Sequence, residues 1–257
     1  MRQGILLWIL CIALFASCKK DDAVVQPINI SDSSNHANAT QTLSLKISHQ
    51  CGNNPLSLNT TYADTTGRIF SFSDFRYYIS NIVLTKNDGS DLPLRGKILL
   101  ADVQQSDYTL GQIPIGQYRG FRFMIGIDSS MNHSDPALYP SSSPLSYQNP
   151  PMHWGWNVGY IFMRVEGSVD TSLVPSGNLN GVLSYHLGTD ELTHVIDFPQ
   201  HSFSVTASAA ATIQLQFDFQ KMLSNVDLQN ENITHSLPRT GLEGKLADNW
   251  LSSFTVQ

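Results

Sequence analysis

Apolar and polar residues alternate along most of the chain with the period of two that a half-buried strand requires. Over residues 42–49, Leu43, Leu45, Ile47 and His49 fall on one face, and Ser44, Lys46 and Ser48 on the other. The same signature predicts a strand over residues 118–128, with Phe121, Phe123, Ile125 and Ile127 on one face. A third covers residues 212–219, with Ile213, Leu215, Phe217 and Phe219. Shorter strands are expected at 97–103, 158–165, 181–188, 192–198 and 203–205. The apolar run of residues 69–84 is too long for one regular strand, so a bulge is expected near Ser73-Asp74. Asn87-Asp88-Gly89 reads as a turn, and residues 113–118 as a turn into the next strand. Helical spacing appears late: Lys221 to Leu228 suits a short helix, and Leu242, Leu246, Trp250 and Phe254 recur every fourth position.

Strands at this spacing, with no long helical period between them, predict an all-β fold. The expected architecture is an immunoglobulin-like or jelly-roll antiparallel β-sandwich with a short C-terminal helix. Two stretches break the pattern. Residues 129–151 are rich in Ser, Pro and Asn and contain His133. They form an insertion that either folds over a site or runs loose on the surface. The stretch that follows, PPMHWGWNVGYIFMRVEG, packs Met152, His153, Trp154 and Trp156 together just before a strand. Such a cluster is either an aromatic plug closing a sandwich or the core of a binding site.

Composition narrows the choice. Charged residues are 14% of the 257 and the net charge is −6, with no basic block, which argues against a nucleic-acid partner. At the N-terminus, Arg2 precedes an apolar run over residues 5–15 that is short for a membrane span. Phe15-Ala16-Ser17-Cys18 resembles a lipobox. This implies a signal peptide over residues 1–17, lipidation of Cys18 and a membrane anchor. Lys19-Lys20-Asp21-Asp22 resembles the export tag of Bacteroidetes surface lipoproteins. Residues 18–41, rich in Ser, Asn and Asp, read as a flexible tether, and residues 42–257 as the folded domain. With Cys11 in the leader and Cys18 lipidated, Cys51 stands alone and no internal disulfide is expected.

The residue types point to metal binding more than to catalysis. The sequence holds no G-x-S-x-G elbow, H-E-x-x-H helix or C-x-x-C pair, and no carboxylate pair suited to glycoside hydrolysis. Imidazole suits copper, zinc and iron, and thioether selects Cu(I). His49, Met152, His153 and His186 all fall at strand ends or beside the tryptophans. A lone histidine placed like His49 is more often a hydrogen-bonded core residue than a ligand, and Cys51 reads first as a small buried hydrophobe and second as a soft ligand.

Six pieces in order, SLKISHQCGNNPLSLN, FRYYISNIVL, GFRFMIGID, MHWGWNVGYIFMRVEG, LSYHLG and LADNWLSSF, resemble the MbnP-like proteins, and together they span nearly the whole domain. The resemblance implies a copper-binding periplasmic or surface protein of the outer membrane. In it a tryptophan at the metal site is oxidised to kynurenine by a di-haem cytochrome c peroxidase-like partner. His49 matches the histidine ending the first strand of the family, His186 that of the H-[LV]-G strand, and Trp154 and Trp156 the W-x-W pair. His153 occupies a position that is often aromatic in the family. Ser80 stands where some branches carry a histidine, and the lone Cys51 excludes the four-cysteine branch.

The expectation is therefore a lipid-anchored copper carrier with no turnover of its own. Its metal residues are His49, His186 and His153, and either Trp154 or Trp156 is open to modification. An alternative of a different class is a surface glycan- or peptide-binding lipoprotein that uses Trp154 and Trp156 as a stacking platform.

Overall fold

A computed structural model of the protein describes residues 39–155, 158–235 and 241–257. The expected leader, Cys18, the expected tether up to residue 38 and Trp156 lie outside the described residues. The architecture is a β-sandwich, as the alternation predicts. The smaller sheet holds β1 (Thr40–Cys51), β2 (Asn54–Pro55), β7 (Asp107–Pro114), β13 (Ala211–Asp218) and β15 (Phe254–Val256). The larger holds β3 (Thr61–Ala63), β4 (Ile69–Lys86), β5 (Asp91–Pro93), β6 (Leu99–Asp102), β8 (Gly116–Ile125), β9 (Ile161–Val169), β10 (Gly181–Gly188), β11 (His194–Phe198), β12 (Phe203–Val205) and β14 (Ile233–Thr234). Its main path runs β11-β8-β4-β9-β10-β14.

The core lies between the two sheets. Leu43, Leu45, Ile47 and His49 of β1 are buried, as are Ile213, Leu215 and Phe217 of β13, which runs beside it. From the larger sheet Phe70, Phe72, Phe75 and Tyr77 meet them. Phe75 and Tyr77 lie 5.3 and 5.6 Å from Phe217, ring to ring. Full burial of side chains this large supplies most of the drive to fold, about 1.5–3 kcal/mol each.

The pairing is mixed rather than purely antiparallel. β1 and β13 run parallel, as do β10 and β14. Strand direction depends on long-range pairing, which an alternation pattern does not encode. The expected break in the long strand is present as a register shift between Phe72 and Asp74, opposite Gly167. A side chain at Gly167 would press within 1.9 Å of the Ser71 carbonyl oxygen, so the bulge requires glycine there.

Locally, two expected elements are adjusted and one strand, β7, is added. The turn expected over residues 113–118 is a tight corner at Ile115: β7 ends at Pro114 in the smaller sheet and β8 begins at Gly116 in the larger, so the corner carries the chain between sheets. β7 itself has weak alternation, interrupted at Gly111, where its pairing with β1 shifts register. The helix expected at 221–228 is a single turn, α2 (Phe219–Met222), capped by Asp218. Asn225 has φ +61, which a right-handed helix cannot contain. The C-terminal helix, α3 (Leu242–Ser253), buries Leu246 and Trp250 completely.

Residues 129–151 are not a loose loop. They fold into α1 (Ser129–Asn132), a 3-10 turn at Pro136–Leu138 and further turns, and cover the outer face of the larger sheet. Tyr78 donates to the Pro144 carbonyl at 2.9 Å, and Tyr160 to that of Leu145 at 2.6 Å. Asn132, fully buried, accepts from Tyr160 N–H and donates to Asp190, each at 2.8 Å. With both faces covered, every residue from Phe75 to Ser80 is buried. That explains an apolar run with no alternation.

Candidate functional site

The aromatic stretch is a short antiparallel extension folded onto the start of β9. Trp154 N–H donates to the Gly159 carbonyl at 3.0 Å, and Ile161 N–H to that of Met152 at 3.0 Å, with His153 bridged to Tyr160. Gly155 and Gly159 have φ +114 and +93. These positive values turn the chain back and direct Trp154 across the outer face of β10.

There Trp154 meets His186. The ring centroids are 6.4 Å apart, with planes inclined at 50°. Gly188, two residues along β10, makes room for the indole: an added Cβ would lie 2.5 Å from Trp154 Cζ3. On the other side, His235 stacks on His186 with centroids 4.2 Å apart and planes 13° from parallel. His235 Nε2 is 2.7 Å from Ser184 Oγ.

His186 Nε2 lies 2.5 Å from Glu166 Oε1 on the neighbouring strand. The same oxygen forms an ion pair with Arg164 Nη2 at 3.0 Å. Arg164 Nε reaches Asp74 Oδ2 at 2.9 Å, and Asp74 also takes a two-pronged contact from Arg76, both bonds 2.8 Å. Arg76 Nη2 then donates to the Pro150 carbonyl at 3.1 Å. A ladder of charged groups thus links the segment entering the aromatic stretch to His186. Desolvation by burial pushes His186 below its ordinary value, and its bond to Glu166 opposes the shift.

His49 is elsewhere. It is packed edge-on against Phe75 and Tyr77 within the core, and its Nε2 sits 3.0 Å from Tyr77 Oη. Burial lowers its pKa to about 4. The strand register shows why it cannot reach His186. Phe75 and Tyr77 lie beside Val165 and Met163 on the inner face, whereas His186 lies beside Arg164, in turn beside Arg76, on the outer face. The body of the sheet separates the two imidazoles, so the pair named by the resemblance does not converge.

His153 is near the site but turned from it. Its Nδ1 accepts the Gly155 N–H at 2.9 Å, its ring meets Tyr160 edge-on at 4.6 Å, and its Nε2 is buried. The neutral ring therefore carries its proton on Nε2, and neither nitrogen presents a free lone pair. The residue does not fit a metal ligand as placed. Cys51 is buried at the end of β1, and burial, with Asp218 nearby, pushes its thiol up to about 12. It behaves as a small core residue.

Beside Trp154 a cleft of about 450 Å³ opens between the aromatic stretch and the covering segment, lined by Asp135, Tyr147, Gln148, Met152, His153 and Trp154. The sequence reading identified His186, His153 and Trp154 and missed Glu166, His235 and Gly188. For Glu166 a signal existed: Arg164 and Glu166 are charged positions two apart on a strand otherwise rich in buried residues.

A family model described as MbnP matches residues 40–236. Among solved structures, the chain is similar to MbnP from Methylosinus trichosporium, with 15% identity and a TM-score of 0.59. That match covers 77% of this chain and 83% of the other, and at this identity it shows a shared fold. No curated protein matches the chain.

Proposed function

The chain belongs to the MbnP family, and from that premise we propose that it is a lipid-anchored copper-binding protein whose site is built around His186 and Trp154 on the outer face of the larger sheet. The observation that carries the reading is His186 held by Glu166 at 2.5 Å beside the Trp154 ring. Metal-ligating histidines characteristically give their second ring nitrogen to a carboxylate. This one has that partner, and its Nδ1 is the nitrogen not engaged by Glu166.

The donor set is small. Among the described residues no group of three His, Cys, Asp or Glu side chains gathers to hold a metal. A metal lies in the plane of an imidazole that binds it, so the parallel rings of His186 and His235 offer no shared in-plane position. His235 as found is a wall behind His186. A low-coordinate soft ion, Cu(I), suits one oriented imidazole with an aromatic neighbour.

Oxidation of Trp154 to kynurenine is a four-electron step that opens the pyrrole ring with oxygen from a peroxide oxidant and, by hydrolysis, releases one carbon as formate; it would supply the aryl amine and ketone that indole lacks. A di-haem peroxidase-like partner is the proposed oxidant, so the protein is a substrate and a metal carrier without turnover of its own. Trp154 is the proposed site of oxidation because its ring lies beside His186, with centroids 6.4 Å apart. The glycan-platform alternative is less well supported: the Trp154 indole packs against Gly188 and His186, which takes it out of use as an open stacking surface.

The test is peptide mass mapping of protein purified from its own host, with metal analysis of the same sample. Kynurenine in the peptide spanning Met152 to Arg164, together with bound copper, is the expected result. Intact tryptophans in a metal-free protein would overturn it and direct attention to sugars.

A further inference from the structure

We infer that Glu166 is a positioning residue that selects the tautomer of His186: its carboxylate takes the Nε2–H hydrogen bond and leaves the Nδ1 lone pair as the donor offered to a ligand. The inference deepens the copper reading and rests on it for the identity of the ligand, while the tautomer itself is a property of the protein alone.

Three contacts fix the imidazole. Glu166 Oε1 at 2.5 Å holds its edge, the His235 ring at 4.2 Å holds its plane, and Trp154 flanks it. Glu166 is held in turn by Arg164 at 3.0 Å, and Arg164 by Asp74 at 2.9 Å. Asp74 is gripped by Arg76, which is itself bonded to the Pro150 carbonyl. Two residues on from Pro150, the chain enters the stretch that carries Trp154. The two halves of the site, His186 on β10 and Trp154 on the extension of β9, are therefore registered to each other by one chain of ion pairs and hydrogen bonds.

Stability alone does not account for this ladder. Side-chain exposure in it runs from 7% at Arg76 to 23% at Glu166, so each ion is largely removed from water. Replacing such buried ion pairs by apolar side chains of similar volume is often neutral or stabilising. The neighbouring positions Tyr78, Phe162 and Tyr160 show that this region of the protein packs large rings without difficulty. What apolar residues could not do is accept a hydrogen bond at one chosen nitrogen of His186. The metal-site logic is general: an outer carboxylate fixes ring orientation and tautomer, and its loss typically weakens metal binding about 10–100-fold.

The experiment compares the full chain with Glu166→Ala and Glu166→Gln. In the metal-free protein, nitrogen NMR of the His186 ring above neutral pH should show Nε2 protonated and Nδ1 bare. Glu166→Gln, whose amide oxygen still accepts the bond, should preserve that pattern, and Glu166→Ala should mix the tautomers. Competition against bicinchoninate for Cu(I) should then show about 10–100-fold weaker binding for Glu166→Ala and near-normal binding for Glu166→Gln. A wild-type ring protonated at Nδ1, or an Ala variant unchanged in tautomer and affinity, would overturn the inference. Should the Ala variant fail to fold, the wild-type tautomer decides alone. Wild-type protein that ignores Cu(I) would remove the copper reading, while the NMR pattern still judges the role of Glu166.

Discussion

His49 and His186 lie on opposite sides of the larger sheet: His49, carried by β1 of the smaller sheet, packs into the core against Tyr77, and His186 on β10 faces outward onto Glu166. Their separate roles give a direct expectation. His49→Phe should leave copper binding unchanged, and His186→Ala should abolish it, both measured by Cu(I) competition on folded protein. Loss of binding in the His49 variant alone would contradict the site as drawn.

The buried His49 should also make stability pH-dependent. In the fold it stays neutral down to about 4, against an ordinary value of 6.5. Above 6.5 it is neutral in both states and costs nothing. As pH falls toward 4 the unfolded chain takes up a proton that the folded one refuses, so stability drops, by roughly 3 kcal/mol in all. His153, His186 and His201 are shifted in the same direction. The share of His49 is therefore the difference in slope between wild type and His49→Phe in urea unfolding across that range.

Gly188 is expected to be a sensitive glycine of the site. An alanine there would set its methyl 2.5 Å from Trp154 Cζ3 and 2.7 Å from the Tyr160 carbonyl oxygen. Gly188→Ala should shift the Trp154 indole N–H resonance, leave that of Trp250 in place, and cost about 1–3 kcal/mol. An unmoved Trp154 signal would show that the indole does not pack on this strand.

Cys51 should be inert in the native protein. A buried thiol with its pKa raised to about 12 carries almost no thiolate near neutral pH. Iodoacetamide should label it only after denaturation. Rapid labelling in the native state would mean that the end of β1 opens readily.

Much of this protein was legible in its sequence because much of it is local. Period-two alternation in β1, β8 and β13 follows from the pleat of a strand with one buried face, and any chain segment displays it without reference to its partners. The bulge near Ser73-Asp74 and the four-residue spacing of α3 are local in the same sense. The W-x-W stretch and the H-L-G strand marked Trp154 and His186 by residue type and order.

What the sequence could not carry is which face of which sheet each residue would occupy. His49 and His186 both fall at strand ends with the same side-chain chemistry. The alternation of β1 puts His49 on the face of Leu43, Leu45 and Ile47, but only the register of β4, β9 and β10, set by pairing across long separations, turns His186 to the far side of the larger sheet. The same register places Glu166 against His186 and lines Asp74, Arg76 and Arg164 into a ladder. The stacking of His235 waits on a two-residue parallel strand with no pattern of its own, and the ordering of residues 129–151 on a covering contact with Tyr78 and Tyr160. Secondary structure is dictated over a few residues, whereas a site on a sheet face is assembled from strands far apart in the chain, and only tertiary pairing decides which side chains meet there.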